Sequence, residues 1–173
     1  MLHLYTGEGK GKTTAAIGLS VRAAGRGFSV YFTQFMKGND TGELYILKRL
    51  PEVKILRSEK NFGFFKRMSE EDKAELTAVH NRILEELLES VGKEENQLII
   101  LDELTYPITL GLVDEEKVKE LLSYSDKVEM VVTGRNAAPF LEEQADYITR
   151  MECVRHPFLR ENNPVAARKG IEY

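Results

Sequence analysis

Tryptophan is absent from this chain and cysteine occurs once, at Cys153. Neither an intrachain disulfide nor a multi-cysteine metal site is therefore available to it, and a lone thiol suits a reducing compartment. No apolar run approaches the ~20 residues needed to span a bilayer. The first residues lead straight into a short apolar segment and a glycine-rich turn, without the pattern of a signal peptide. These absences predict a cytoplasmic protein with no membrane partner. Positive charge is not in excess either: 24 Lys and Arg face 28 Asp and Glu, for a formal net charge of -4. That balance argues against a general nucleic-acid binder, yet it leaves room for a local basic pocket that takes a small phosphorylated anion. Repeats, linkers and low-complexity tracts are also missing. The 173 residues, 42% hydrophobic and 30% charged, predict one domain spanning 1–173, burying roughly 70% of its unfolded surface.

The informative stretch is Leu2-His3-Leu4-Tyr5-Thr6-Gly7-Glu8-Gly9-Lys10-Gly11-Lys12-Thr13-Thr14, an apolar strand entering a glycine-rich, lysine-bearing turn and then an Ala-Ala-Ile-Gly-Leu run that forms helix. This is a phosphate-binding loop. Its glycines let backbone N–H groups face an anion, and the following helix adds roughly half a positive charge at its N-terminus. Lys12 supplies a mobile full charge and Thr13 a hydroxyl for Mg2+. The general pattern G-x-x-x-x-G-K-[ST] is broken at its first position, where Thr6 stands five residues before Gly11. A β-branched Thr6 resists positive φ, so the loop entry is expected to be shaped differently, with Gly7 and Gly9 adding freedom further along.

Short apolar runs alternate with longer amphipathic ones, the signature of βα units around a mostly parallel sheet. Strands are predicted over Leu2 to Tyr5, Val30 to Phe35, Val53 to Leu56, Leu98 to Leu101, Val128 to Thr133 and Tyr147 to Val154. Helices are predicted over Thr13 to Arg26 with Gly27 as stop, from Ser69 as N-cap to near Gly92, after Asp114, and over Pro139 to Ala145. The unbroken run Leu98-Ile99-Ile100-Leu101 reads as a central strand covered on both faces.

Ligands of open α/β sheets sit at the carboxyl ends of the strands. The polar residues there are Thr6 onward, Gln34, Asp102-Glu103 and Thr133-Gly134-Arg135. Asp102-Glu103 reads as the acidic partner of the phosphate loop, one of the two holding Mg2+ directly or through water. Arg135 reads either as a phosphate partner or as a solvated strand-end residue. His3, inside the first strand, reads as a packed side chain, and His80, mid-helix, as unremarkable. The residues alone thus define a Mg-nucleotide-utilising P-loop α/β domain. They leave open an ATPase, a small-molecule kinase, another use of ATP, or a non-catalytic binder.

From the first strand to its last residue the chain resembles the ATP:corrinoid adenosyltransferases of the cobalamin-biosynthesis type, whose core is RecA-like. The resemblance rests on Thr6 to Thr14, on Gln34-Phe35-Met36-Lys37-Gly38, on Leu101-Asp102-Glu103-Leu104-Thr105-Tyr106 and on Thr133-Gly134-Arg135. It also rests on the tail, Val154-Arg155-His156-Pro157-Phe158 through Lys169-Gly170-Ile171-Glu172-Tyr173. The threonine that breaks the general loop pattern is what this family has.

The resemblance implies a three-layer P-loop fold and a reaction unlike phosphoryl transfer, in which a corrinoid reduced to Co(I) attacks the 5′ carbon of ATP and the triphosphate leaves. It also implies a nucleotide held in reversed orientation, leaving that carbon open to the corrinoid. The candidate nucleotide-binding residues are Thr6, Gly7, Glu8, Gly9, Lys10, Gly11, Lys12, Thr13, Thr14 and Arg135, and carry-over puts Gly9 to Thr14 on the phosphates. Of the candidate holders of Mg2+ (or Mn2+), Thr13, Asp102 and Glu103, carry-over favours Thr13 and Glu103, and the resemblance implies a catalytic role for Lys12. Easing the reduction of Co(II) falls to aromatic side chains that displace the lower axial ligand, here in Asn61-Phe62-Gly63-Phe64-Phe65, with Phe62 and Phe64 assigned that role. At i and i+2 of an extended loop those two rings point the same way. Relatives often carry a tryptophan in this segment. A flavoprotein or other electron donor and a homodimer are the implied partners. Larger relatives have a further N-terminal helix that closes the site across the dimer; with the first strand at Leu2 here, closure is expected from other segments, or on corrinoid binding.

Overall fold

A computed structural model describes residues 1–159, 162 and 164–172. Six strands, β1 (Leu2–Thr6), β2 (Ser29–Gln34), β3 (Val53–Arg57), β4 (Gln97–Asp102), β5 (Glu129–Thr133) and β6 (Tyr147–Arg150), form one sheet in the order β3-β2-β4-β5-β1-β6. Every pairing is parallel. Parallel neighbours need crossovers, and the helices that make them cover both faces. One face carries α1 (Lys12–Ala24) and α2 (Gly42–Leu47), whose Ala16, Ala24 and Leu47 pack on Val30, Phe32, Leu98, Ile100 and Val131. The other carries α3 (Glu70–Ser90), α4 (Thr105–Leu110), α5 (Glu115–Leu122) and α6 (Pro139–Gln144), packed on Leu2, Leu4, Ile99, Leu101, Met130 and Val132. This is the predicted three-layer α/β fold with a RecA-like parallel sheet.

β4 lies between β2 and β5, and all six of its residues are buried. Each of its aliphatic side chains contributes about 1.5–3 kcal/mol on leaving water, which is why an uninterrupted apolar run was needed there. α3 begins at Ser69, whose hydroxyl accepts from the Asp72 amide (3.0 Å) while the Asp72 carboxylate accepts from the Ser69 amide (3.3 Å), a reciprocal cap. Asp114 caps α5 as expected, accepting from the Glu116 and Lys117 amides.

Three departures from the sequence reading have physical reasons. α2 and α4 were not anticipated: each is six residues long, too short to show a helical period, and α4 contains Pro107. β6 ends at Arg150 rather than at Val154, because the next residues leave the sheet edge. The Met151 amide still donates to the Thr6 carbonyl (2.8 Å), and the Met151 carbonyl then accepts from the Gly9 amide (2.7 Å). The chain past β6 thereby becomes a wall of the loop between β1 and α1. No helix among the described residues is long and apolar enough to cross a membrane.

Candidate functional site

A cleft of about 650 Å³ opens at the carboxyl ends of the strands. Its walls include the loop residues Glu8 to Thr14, Lys37, Glu103, Tyr106 and Arg135, with Ile171 and Glu172 from the tail. Tyr173, quoted with the tail in the sequence reading, lies outside the described residues.

The loop is shaped by close approach as much as by an anion. A Cβ on Gly7 would stand 2.5 Å from the Met151 carbonyl oxygen, and one on Gly9 2.6 Å from that of Glu152, so only glycine admits the crossing segment. The Gly9 amide is already taken by Met151, which removes one of the donors expected to face the phosphates. Lys12, itself buried, donates from Nζ to the carbonyls of Gly7 (2.6 Å) and Gly9 (2.8 Å), holding the loop curled. Burial, and secondarily the charge of Arg135, lowers its pKa. α1 starts behind Gly11 with no acidic residue in its first turn, so its positive end faces the cleft uncompensated. Thr14 is exposed on that turn and Thr6 is buried at the end of β1. Glu8 and Arg135 form an ion pair at the cleft (2.9 Å) between half-exposed side chains.

The two carboxylates after β4 have separate environments. Asp102 is completely buried; its Oδ1 accepts from Thr13 Oγ1 (2.8 Å) and Thr133 Oγ1 (2.7 Å), and its Oδ2 accepts from Lys37 Nζ (2.7 Å). Glu103 lies in the left-handed region at φ 63, with its amide donating to Thr133 Oγ1 (3.0 Å). Its carboxylate lines the cleft without a hydrogen-bond partner among the described residues, and burial, followed by the charge of Asp102, raises its pKa. A non-glycine residue held in that conformation is a strained feature at a ligand cleft. Thr13, Asp102 and Glu103 make an all-oxygen donor set, which suits a hard divalent cation such as Mg2+ or Mn2+. A partly buried carboxylate that lacks a partner is the group such an ion would relieve.

Gly134 is required for a steric reason: a Cβ there would sit 1.9 Å from Thr105 Oγ1, which donates to the Arg135 carbonyl (2.7 Å) and so aims that residue across the cleft.

Sequence reading missed two residues, Lys37 and His80. Lys37 stood inside the Gln34 to Gly38 motif without a role, and its position at Asp102 is set only by folding. His80, passed over as unremarkable, is buried against Phe35; it accepts from the Met36 amide at Nε2 (3.2 Å) and donates from Nδ1 to the Leu112 carbonyl (2.8 Å). Met36 is itself left-handed, at φ 58, so His80 braces the strained turn that presents Lys37. His3, read as a packed side chain, stacks on Tyr147 and bonds Glu129 at 2.5 Å.

The aromatic segment departs from its expected geometry. Gly63 is left-handed (φ 72), so Phe62 and Phe64 do not project alike. Phe62 folds down beside Met68, Leu76 and Leu112 with Lys60 over its ring (4.5 Å), whereas Phe64 is 79% exposed. The segment backs onto the Lys37 loop, since a Cβ on Gly38 would meet the Lys60 carbonyl at 2.2 Å. Gln34 Oε1, Thr41 Oγ1 and Arg57 Nη1 are buried without partners among the described residues.

Fold and site together define a P-loop nucleotide-binding α/β protein. Across residues 1–173 the chain matches the family described as ATP:corrinoid adenosyltransferase BtuR/CobO/CobP, and it belongs to that family. It is 32% identical to the corrinoid adenosyltransferase of Sinorhizobium sp, covering 100% of this chain and 80% of the relative. It is equally 32% identical to those of Pseudomonas aeruginosa (100% and 83%) and Escherichia coli (98% and 84%). Among solved structures, the cytoplasmic domain of EssC superposes with a TM-score of 0.55 at 17% identity, over 96% of this chain and 36% of that one, a likeness of fold.

Proposed function

We propose that the protein transfers the 5′-deoxyadenosyl group of ATP to the Co(I) centre of a reduced corrinoid, releasing inorganic triphosphate, in cobalamin biosynthesis or salvage. The observation that carries this reading is the gathering of Lys12, Lys37, Arg135 and Glu103 in one cleft, with Lys37 paired to the buried Asp102, in a chain that matches the adenosyltransferase family from end to end.

In the step, the Co(I) electron pair forms the cobalt–carbon bond to C5′. The C5′–O5′ bond breaks with its electrons on the triphosphate, and cobalt ends as Co(III). Charge therefore develops on a leaving group rather than on a transferred phosphoryl, and fixed donors aimed at that group lower the barrier. Lys12, released from the carbonyls of Gly7 and Gly9, turns its ammonium to the triphosphate, with the Lys10 to Thr14 backbone and the N-terminus of α1 behind it. Arg135 exchanges Glu8 for a phosphate oxygen. Thr13 and Glu103 would hold Mg2+ (or Mn2+) directly, the Glu103 carboxylate being uncommitted, and Asp102 would join them, directly or through water, once Lys37 leaves its Oδ2. The ion supplies neutralising charge on the leaving triphosphate.

Phe64 presents an exposed ring to the lower face of the corrinoid, and the packed Phe62 anchors its loop. Displacing the axial base makes Co(II) easier to reduce. The electron arrives from a flavoprotein or another donor, and the catalytic unit, residues 1–173, works as a homodimer in the cytoplasm.

Anaerobic incubation with Mg-ATP and chemically reduced cob(I)alamin tests the reading. Light-sensitive adenosylcobalamin with inorganic triphosphate is the expected result; ADP without a cobalt–carbon product would return the protein to the ATPase or kinase class.

A further inference from the structure

The ammonium of Lys37 lies 2.7 Å from Asp102 Oδ2 and 3.4 Å from Thr13 Oγ1. Both oxygens belong to the set that fits a divalent cation, so a positive charge already stands between two of its holders. The pairing is not a surface accident: Asp102 is 0% exposed, whereas the Lys37 side chain retains 27% exposure and lines the cleft. One end of the pair is fixed by the threonines at Oδ1, and the other ends a flexible four-carbon stem with open space beside it. The loop that carries Lys37 is set by the left-handed Met36 and its hydrogen bond to His80, which aims the stem at β4 rather than at solvent.

We propose that Lys37 is an exchangeable stand-in for the divalent cation. In the empty site it neutralises Asp102 and closes the metal position; when the ion and the triphosphate arrive together, the ammonium yields that position and moves onto triphosphate oxygens. The inference rests on the reading of Thr13, Asp102 and Glu103 as the residues that hold the ion. Two consequences follow from charge alone. An empty site that keeps its own cation binds a free divalent ion poorly, because like charges compete for the same oxygens. Triphosphate, by giving the ammonium somewhere else to go, raises the affinity for the ion, and by linkage the ion raises the affinity for triphosphate by the same factor. The site thus favours the metal–nucleotide complex over either part, and it adds a second ammonium, besides Lys12, to the leaving group.

The test is a Mn2+ titration of the nucleotide-free protein followed by electron paramagnetic resonance, then repeated with inorganic triphosphate, on the wild type and Lys37→Met. The variant should bind Mn2+ about tenfold more tightly without triphosphate, and the gain in Mn2+ affinity on adding triphosphate should shrink by about the same factor. Unchanged or weaker Mn2+ binding by the folded variant would overturn the proposal. Thermal melts cover the case in which Lys37→Met leaves Asp102 too poorly compensated to fold alone. Mn2+ should then restore the fold and raise Tm more steeply than in the wild type, and failure to fold at saturating Mn2+ would overturn the proposal as well. No corrinoid enters these measurements. A protein that forms the cobalt–carbon bond yet shows unchanged Mn2+ binding keeps its activity and loses this role for Lys37, whereas the opposite pair of results leaves the stand-in cation in place and removes the adenosyl transfer.

Discussion

Thr33 and Thr133 permit a controlled measurement of what the buried carboxylate contributes to stability. Both are completely buried toward the carboxyl ends of β2 and β5, the strands on either side of β4, and each hydroxyl donates one hydrogen bond of nearly equal length. Thr33 gives its proton to the Ile100 carbonyl at 2.8 Å, Thr133 to Asp102 Oδ1 at 2.7 Å. Valine is close to threonine in shape, so replacement at either site opens no cavity and removes only the hydroxyl. At Thr33 the loss is one neutral hydrogen bond, about 0.5–1.5 kcal/mol. At Thr133 the lost bond is to a carboxylate, about 1.5–3 kcal/mol, and the Glu103 amide, which donates to the same oxygen at 3.0 Å, is orphaned for about 1–3 kcal/mol more. Lys37 and Thr13 remain on Asp102, so the expected cost of Thr133→Val is about 3–5 kcal/mol. For a chain of this size that corresponds to a fall in Tm of about 10 °C. Urea unfolding of the two variants beside the wild type, with m held equal, reads the difference directly. Losses within about 0.5 kcal/mol of each other would refute the argument that charge on the acceptor and the shared Glu103 amide set the cost.

Lys12→Ala should lower triphosphate release by about 10²–10³-fold, the scale of removing one preorganised donor from a developing anion; a loss below tenfold would take Lys12 out of the chemistry. Phe64→Ala should leave stability within about 0.5 kcal/mol, as expected for an exposed side chain. It should also spare turnover of chemically pre-reduced Co(I) while depressing turnover that starts from Co(II); equal losses in the two assays would sink the aromatic displacement. Phe62→Ala, by contrast, should cost stability, because that ring packs on Met68, Leu76 and Leu112. For His80, burial holds the folded pKa below the ordinary value near 6.5. The unfolded chain therefore binds the extra proton first, and stability is complete above that value and declines as pH falls through it. Protonation also removes the lone pair that accepts the Met36 amide. In His80→Gln the slope of stability below about pH 6.5 should flatten, and an unchanged slope would show that His80 is not its source.

Much of the architecture was legible because it follows from short-range rules. Leu98 to Leu101 had to be a doubly covered strand, since four consecutive aliphatics have no polar face to give to water. The Ser69 and Asp114 caps follow from side chains that satisfy the first amides of a helix wherever they occur. The loop from Thr6 to Thr14 announced an anion site through glycine, lysine and threonine spacing alone. α2 and α4 were not legible, since six residues hold less than two turns and their helical state depends on what the core offers Leu47 and Ile108. The end of β6 was equally hidden: Tyr147 to Val154 carries strand-forming residues throughout, and only the Met151 contact with Gly9 stops it at Arg150.

The sequence by itself determined the class of chemistry: a parallel α/β sheet, a phosphate loop with Lys12 and Thr13, and acidic residues at the end of the strand that must be central. Those are local properties of residue type and spacing, and they persist in any packing that lets the strands pair. Which carboxylate is committed and which is open, that Lys37 closes on Asp102, that His80 braces the turn carrying it, and that Gly63 turns Phe64 away from Phe62 were decided only by the tertiary structure. Each of these depends on groups between 24 and 89 positions apart meeting within a few ångströms, or on a backbone conformation that neighbours impose. Spacing along a chain fixes neither, because side-chain direction at a strand end or in a loop is set by what packs against it.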